Sequence, residues 1–429
     1  MKINTLILTL AIGFQSLIGF SQDYYLHCGS ILDVQSGKEI KNATIVISKN
    51  KITKISDGFI SKLNANDIEV NLKNKYILPG LIDLHVHLES EQNPKSYASK
   101  YTNNEADVAF EAARFAEITL LAGFTTVRDL GGTGVNISLR NAINKGIAKG
   151  PRVYTAGKSI ASTGGHADPP NGSNRKLMGD PGPHEGVVNS PEDGVKAVRE
   201  RYKEGADVIK ITATGGVLSV AKNGKNPQFS IEEIKAITTT AKDYNMLTAA
   251  HAHGDEGMQR AILGGIKTIE HGTFMSDETM ELMKKYDAYL VPTITAGKEV
   301  ALKAAVEGFY PEIIVPKAKE VGPQIQSTFA KKKKKGVKIA FGTDAGVFDH
   351  GKNGKEFGYM VEAGMPALSA IQSATITNAM LLGATNEIGQ IKPAFFADII
   401  AVDENPLNNV TTLEQVKFVM KNGVIYKNL

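Results

Sequence analysis

Apolar and polar positions along the chain fall into two regimes. From Gln22 to Lys75 short apolar runs (Tyr24 to His27, Ser30 to Asp33, Ala43 to Ile47, Ile52 to Ile55 and Glu69 to Leu72) are broken by Gly, Asn and Asp, which predicts short β-strands joined by turns. The pattern returns near the other end in Ala397 to Val402 and Val416 to Met420, where Asn422-Gly423 reads as a hairpin turn into Val424 to Tyr426. Between these regions strand and helix patterns alternate. The strands are expected at Leu81 to His87, Thr125 to Asp129, Arg152 to Ala156, Asp207 to Thr212, Leu247 to His251, Thr268 to His271, Ala288 to Pro292 and Lys338 to Thr343. Helical periodicity fills the gaps, as in Glu105 to Leu121, Glu192 to Lys203, Ile231 to Lys242 and Ser276 to Lys284, and Ala367 to Leu382 closes the series.

This alternation predicts an α/β fold: a (β/α)8 TIM-type barrel over residues 79–383, and a small β-sandwich domain assembled from both chain ends, residues 22–78 plus 384–429. A doubly wound open sheet would want a glycine-rich phosphate turn after an early strand. Gly131-Gly132-Thr133-Gly134 lacks the G-x-G-x-x-G spacing.

A barrel does its chemistry at the C-terminal ends of its strands and in the loops that follow, which makes the strand ends the place to look. The first strand lies in YILPGLIDLHVHLE, and a strand puts His85 and His87 on one face, where two ligands of one metal ion would stand. Lys210 on the fourth strand, His251 on the fifth, His271 on the sixth and Asp344 just after the eighth converge on the same end. That set points to a metal site. Lys210 sits in Val208-Ile209-Lys210-Ile211, a strand that should be apolar on both faces. Burial would lower its pKa, and the neutral amine can react with carbon dioxide to give a carbamate able to bridge two cations about 3.5–4 Å apart. The bland reading of this lysine is an ion pair with Asp129 or Asp344. The long loop after the third strand, Ser159 to Ser190, reads as a lid or binding loop. Within it His166 could meet a substrate carbonyl, His253 could line the same mouth, and Arg128 could pair with a substrate carboxylate, as could Arg152, Lys158, Arg175 and Lys176 nearby.

Composition narrows the classes. At 429 residues, with 42% hydrophobic and 22% charged residues, the chain reads as a folded enzyme-like protein rather than a disordered one. A net charge of only +4 gives no footprint for nucleic acid, and the run Lys331 to Lys335 reads as a solvated helix end. Residues 1–21, with Lys2 and an apolar stretch from Leu6 to Phe20, predict a signal peptide cut before Gln22, hence an exported, periplasmic or secreted protein with no stable membrane insertion after cleavage. The single cysteine, Cys28, permits no internal disulfide. No G-x-S-x-G elbow occurs, so serine-based hydrolysis lacks its nucleophile signal.

HVH after the first strand, the lysine in IKITATGG, the histidines in TAAHAHG and IEHGT, and FGTDAG on the last strand together resemble the amidohydrolase superfamily of metal-dependent hydrolases, in particular its prolidase-like and imidazolonepropionase-related exported members. The resemblance spans nearly the whole mature chain. It implies two divalent ions, zinc by preference, with His85, His87 and Asp344 on one, His251 and His271 on the other, and Lys210, N6-carboxylated, between them. A water shared by two cations would lose a proton near neutrality and act as a metal-bridging hydroxide, with Asp344 as general base and then acid. The reaction this implies is hydrolysis of a peptide-like amide in a small-molecule or short-peptide substrate, releasing the C-terminal residue of a dipeptide such as Xaa-Pro or of an N-acyl amino acid. Opening of a cyclic amide or lactone is the alternative enzymatic reading, and a metal-holding binding protein without turnover the non-enzymatic one. Such a chain could also assemble as a homo-oligomer.

Overall fold

The computed structural model describes residues 22–429; the signal-peptide reading of residues 1–21 lies outside the described residues. Four strands open the described chain: β1 (Tyr24–Leu32), β2 (Glu39–Ser48), β3 (Lys51–Asp57) and β4 (Ile68–Pro79). The two runs expected as separate strands around Gly29 are one strand, β1, with a register shift between Cys28 and Ser30. A Cβ on Gly29 would lie 2.1 Å from the Lys73 carbonyl oxygen, so only glycine lets the two backbones approach there.

Eight strands follow: β5 (Leu81–Val86), β6 (Phe124–Asp129), β7 (Arg152–Thr155), β8 (Val208–Thr212), β9 (Leu247–Ala252), β10 (Thr268–His271), β11 (Tyr289–Val291) and β12 (Lys338–Ile339). They pair in parallel, β5-β6-β7 in one sheet and β8 through β12 in another. Bridges join these sheets at both ends, Ile160 with Ile211 and Val86 with Ala345. Every residue of β5, β6 and β8 is buried, as expected of parallel strands covered on both faces. The expected helices between them form, among them Glu105–Leu121 with a capping box from Asn104 and Asp107, and Ile231–Asp243 with one from Ser230 and Glu233. The segment expected as one helix, Ala367 to Leu382, is interrupted by a π-helical turn, Ser373–Thr377. Just past that turn, Asn378 Nδ2 donates to the carbonyls of Ile82 (2.8 Å) and Phe341 (2.9 Å), fastening β5 to the segment after β12.

The chain closes with β13 (Ile399–Val402), β14 (Phe418–Lys421) and β15 (Val424–Asn428). These join β1–β4 in one seven-stranded sheet of order β15-β14-β13-β4-β1-β2-β3. A bridge between Lys51 and Phe396 brings the β3 edge back to the chain entering β13, so the sheet rolls round its own apolar cluster, which includes Leu26, Ile45, Leu72, Ile399 and Phe418. Arg152 on β7 ties this sheet to the parallel strands through Asp398 Oδ2 (2.7 Å) and Asn422 Oδ1 (2.6 Å). No helix among the described residues is long and apolar enough to cross a membrane.

Candidate functional site

At the C-terminal ends of the parallel strands a cavity of about 260 Å3 is lined on one side by His85, His87, His166, His251, His253 and His271, together with Lys210 and Asp344. The strand period explains the first pair. His85 and His87 sit two apart on and just past β5, and their rings lie 5.4 Å apart. The His85 ring is 5.1 Å from that of His271, His271 is 4.7 Å from His251 and 4.8 Å from His253, and His166 stacks on His251 at 4.3 Å. Asp344 Oδ1 lies 3.3 Å from Nε2 of both His85 and His87, and Lys210 Nζ lies 3.5 Å from His85 Nε2. Two members of this group, His271 (φ 67) and Asp344 (φ 63), are held in the left-handed region, as is Thr293 (φ 50), which hydrogen bonds His271. Backbone strain of that kind persists where surrounding structure over-determines it, and it concentrates at working sites.

Five of the six imidazoles have one nitrogen engaged from behind, leaving the other toward the group. His87 donates Nδ1–H to the Gly131 carbonyl (2.7 Å) and His251 donates Nε2–H to that of Gly215 (3.1 Å). His85 Nδ1 meets Glu270 Oε2 at 2.9 Å, and His271 Nδ1 meets Thr293 Oγ1 at 2.7 Å. Burial holds His85, His251 and His271 well below the usual histidine range, assisted at His85 by Lys210 and at the other two by neighbouring imidazoles. They are neutral, with lone pairs free to bind a cation. Burial also works against charge on His87, but the adjoining Asp344 carboxylate outweighs it and raises its pKa. Lys210 is lowered to about 8 by burial, opposed by Glu270 and Asp344. Asp344 itself is held below the usual range because His85, His87 and Lys210 outweigh its burial.

The donor set suits metal. Ligand atoms of His85, His271 and Asp344 lie within 4.8 Å of one another, as do those of His251, His253 and His271. Asp344 Oδ1 is buried without a hydrogen-bond partner, an orphan that a cation would satisfy. Neutral imidazole nitrogens with a carboxylate fit divalent ions of the zinc type. The geometry therefore adds His253 to the nitrogen cluster, a residue expected only at the mouth; its Nδ1 meets Thr273 Oγ1 at 2.8 Å. His166 reaches the cavity with Nδ1 buried and unpartnered, neutral because burial takes its pKa to about 3.

Arg128 corrects the expectation of a substrate contact. Its guanidinium is fully buried beneath the histidines, donating to the Leu84 carbonyl (2.6 Å), Thr268 Oγ1 (3.1 Å) and Glu270 Oε1 (2.9 Å). It balances Glu270, whose other oxygen orients His85. Arg152, bound to Asp398, is likewise engaged in joining the two sheets, and among the described residues no arginine lines the cavity. The Lys331–Lys335 run is not wholly a solvated helix end either. Lys332, on the helix Val315–Lys334, is fully buried, and its ammonium donates to the carbonyls of Gly272 and His271 (3.5 Å to the latter). Helical spacing places it on the face of Ile325 and Phe329, which a reading by charge alone overlooks. Glu270 was missed. An acid within the apolar strand Thr268–His271 carries the same signal as Lys210 in Val208–Thr212.

A metal-ready group of histidines, a buried lysine and an aspartate at the ends of parallel strands is the arrangement of a metal-dependent hydrolase, and the chain belongs to the amidohydrolase family, whose pattern it matches over residues 76–426. It is a hydrolase acting on carbon–nitrogen bonds. It is similar to a Xaa-Pro dipeptidase crystallised with methionine bound in the active site, at 51% identity and a TM-score of 0.91 over 95% of this chain and 100% of that one. A prolidase complexed with N-methylphosphonate-L-proline is 29% identical, with a TM-score of 0.86 over 95% of this chain and 100% of its own. The ochratoxinase of Aspergillus niger is 32% identical over 409 residues, 91% of this chain and 84% of the ochratoxinase.

Proposed function

We propose that the protein is a binuclear metal-dependent amidase that releases the C-terminal residue of dipeptides, Xaa-Pro foremost, or of N-acyl amino acids. The observation that carries this reading is the orphaned Asp344 Oδ1 facing the inward nitrogens of His85 and His87, beside Lys210 and the His251/His253/His271 cluster. Similarity to a Xaa-Pro dipeptidase and to a prolidase supports the choice of substrate. At about 260 Å3 the cavity is smaller than the roughly 300–1,000 Å3 of drug-sized pockets, which suits a short substrate.

In this reading His85, His87 and Asp344 would hold one divalent ion and His251 and His271 the other, with Lys210, its amine neutral enough to be carboxylated, as a shared ligand. Bound there, two zinc ions would act as Lewis acids on the scissile carbonyl and lower the pKa of a water. Asp344, kept ionised by His87 and Lys210 beside it, is the carboxylate that would accept a proton from the attacking water and return it to the leaving amine. Neutral His166, stacked on His251 on the histidine side of the cavity, would offer a hydrogen bond to the substrate carbonyl from there. With Arg128 and Arg152 engaged elsewhere, a substrate carboxylate falls to neutral polar residues lining the cavity such as Ser90 and Gln92. The frame in this proposal is a (β/α)8 barrel of residues 79–383 with a small β-sandwich domain from residues 22–78 plus 384–429, a reading supported by the Ile160–Ile211 and Val86–Ala345 bridges between the parallel sheets. Export with removal of residues 1–21 belongs to the same proposal and rests on sequence alone.

The test is a panel of Xaa-Pro dipeptides, N-acyl amino acids and cyclic amides offered to zinc-loaded protein, with elemental analysis alongside. Hydrolysis confined to the linear amides, with two metal equivalents per chain, is expected. Fewer than one equivalent after reconstitution overturns the binuclear reading; turnover of cyclic substrates alone overturns the dipeptidase reading.

A further inference from the structure

Opposite the histidines the same cavity has a wall of another kind. Val217 and Leu218 come from the loop after β8, Val300 from the helix Ile294–Lys303, Val321 and Ile325 from the helix Val315–Lys334, and Val347 from the segment after Asp344. Most of these residues belong to or pack against an apolar cluster separate from the main core, with Val300 and Val321 only 3% and 4% exposed. No side chain among these six carries a nitrogen or oxygen.

The wall is built to keep its shape. The two helices approach closely at small residues: a Cβ on Gly297 would lie 2.7 Å from Ile325 Cγ2, and one on Gly322 would lie 2.4 Å from Ala301 Cβ. The loop is bolted to the second helix by Lys317, whose buried ammonium donates to the carbonyls of Gly216 (3.2 Å), Ser219 (2.6 Å) and Ala221 (2.8 Å). Tyr97 donates its hydroxyl to the Leu218 carbonyl at 2.8 Å. A rigid apolar surface facing a polar, metal-ready floor across a small cavity sorts ligands by side chain: an aliphatic group loses water favourably there, whereas a charged one would be desolvated without a partner.

We infer that this wall is a specificity subsite for an aliphatic side chain, so that the preferred amides carry a leucine- or methionine-like side chain on a residue flanking the scissile bond. The assignment of a scissile amide rests on the proposed function; the aliphatic subsite itself does not. Discrimination of at least about ten-fold is the scale expected when a hydrophobic pocket reads a few methylenes, and a side chain ending in charge should do worse.

The experiment measures binding and turnover separately on the zinc-loaded full chain. Calorimetric titration with L-leucine, L-methionine, L-glutamate and L-lysine is expected to give at least about ten-fold tighter binding of the first two. Val300→Thr/Val321→Thr, which keeps side-chain shape and adds two hydroxyls, is expected to compress that ratio several-fold, and the ratio of kcat/KM between Leu-Pro and Glu-Pro should fall with it. Equal affinities for leucine and glutamate in the unmutated protein overturn the inference. So does a selectivity unchanged in the double variant. A leucine preference in binding with no hydrolysis of any amide leaves the subsite standing and overturns the amidase reading alone.

Discussion

Glu270 offers the most demanding test of how the site is held. Its carboxylate and the Arg128 guanidinium are fully buried and 2.9 Å apart, and the second carboxylate oxygen lies 2.9 Å from His85 Nδ1. Removing one partner of a buried ion pair costs about 3–5 kcal/mol, because the other charge stays in the low-dielectric interior. The His85 N–H left without an acceptor adds about 1–3 kcal/mol. The two losses share one carboxylate and do not add fully, so about 4 kcal/mol is the expected destabilisation of Glu270→Ala. Against a typical stability of about 5–15 kcal/mol that is a large fraction. Glu270→Gln keeps the shape but turns an amide NH2 toward donors, and His85, no longer oriented by a charge, should bind metal about 10–100-fold more weakly. Urea unfolding of the metal-free protein reads the first effect and elemental analysis after dialysis against limiting zinc reads the second. Arg128→Met/Glu270→Leu, which removes both charges together, should unfold at higher urea than Glu270→Ala. If Glu270→Ala unfolds at the parental midpoint and retains its metal, or if the double variant is no better than the single one, the account of this buried chain of contacts is wrong.

Lys210→Ala should lose at least one metal equivalent and nearly all activity, with part of both restored by added short-chain carboxylates; full activity without rescue would remove the bridging role. At Gly216, a Cβ would fall 2.2 Å from the His166 ring, which is itself stacked on His251, so Gly216→Ala should lower kcat/KM by at least about ten-fold at an unchanged circular dichroism spectrum. Glu356 is buried where it accepts from the Ile294 and Thr295 backbone, and burial raises its pKa from 4.5 to about 7. Because the folded state holds this proton more tightly than the unfolded chain, its contribution is complete below about pH 4.5 and is lost as pH rises through 7, about 3 kcal/mol in all. Glu356→Gln should flatten that part of the stability profile, and a parallel pH dependence in parent and variant would refute it.

Legible in the sequence are the succession of strands along the chain and the gathering of His, Lys and Asp residues at their C-terminal ends. These are legible because side-chain direction in a strand has period two and because a charged residue inside an apolar run has few explanations: His85 and His87 share a face, and Lys210 stands out in Val208–Thr212. Which buried charges answer one another depends on contacts between distant segments. Arg128 and Glu270 are 142 positions apart and meet because β6 and β10 bring them beneath the same histidine; nothing local distinguishes that guanidinium from one aimed at a substrate. Lys332 looks solvated within a run of lysines and is buried because its helix turns it onto the face packed against His271 and Gly272. The aliphatic wall was invisible for the same reason: Val217, Val300, Val321 and Val347 are ordinary apolar positions in four separate segments, and become one surface only when two helices cross at Gly297 and Gly322. Periodicity fixes which way a side chain points within its own element, and what it meets there depends on long-range packing that no local pattern encodes.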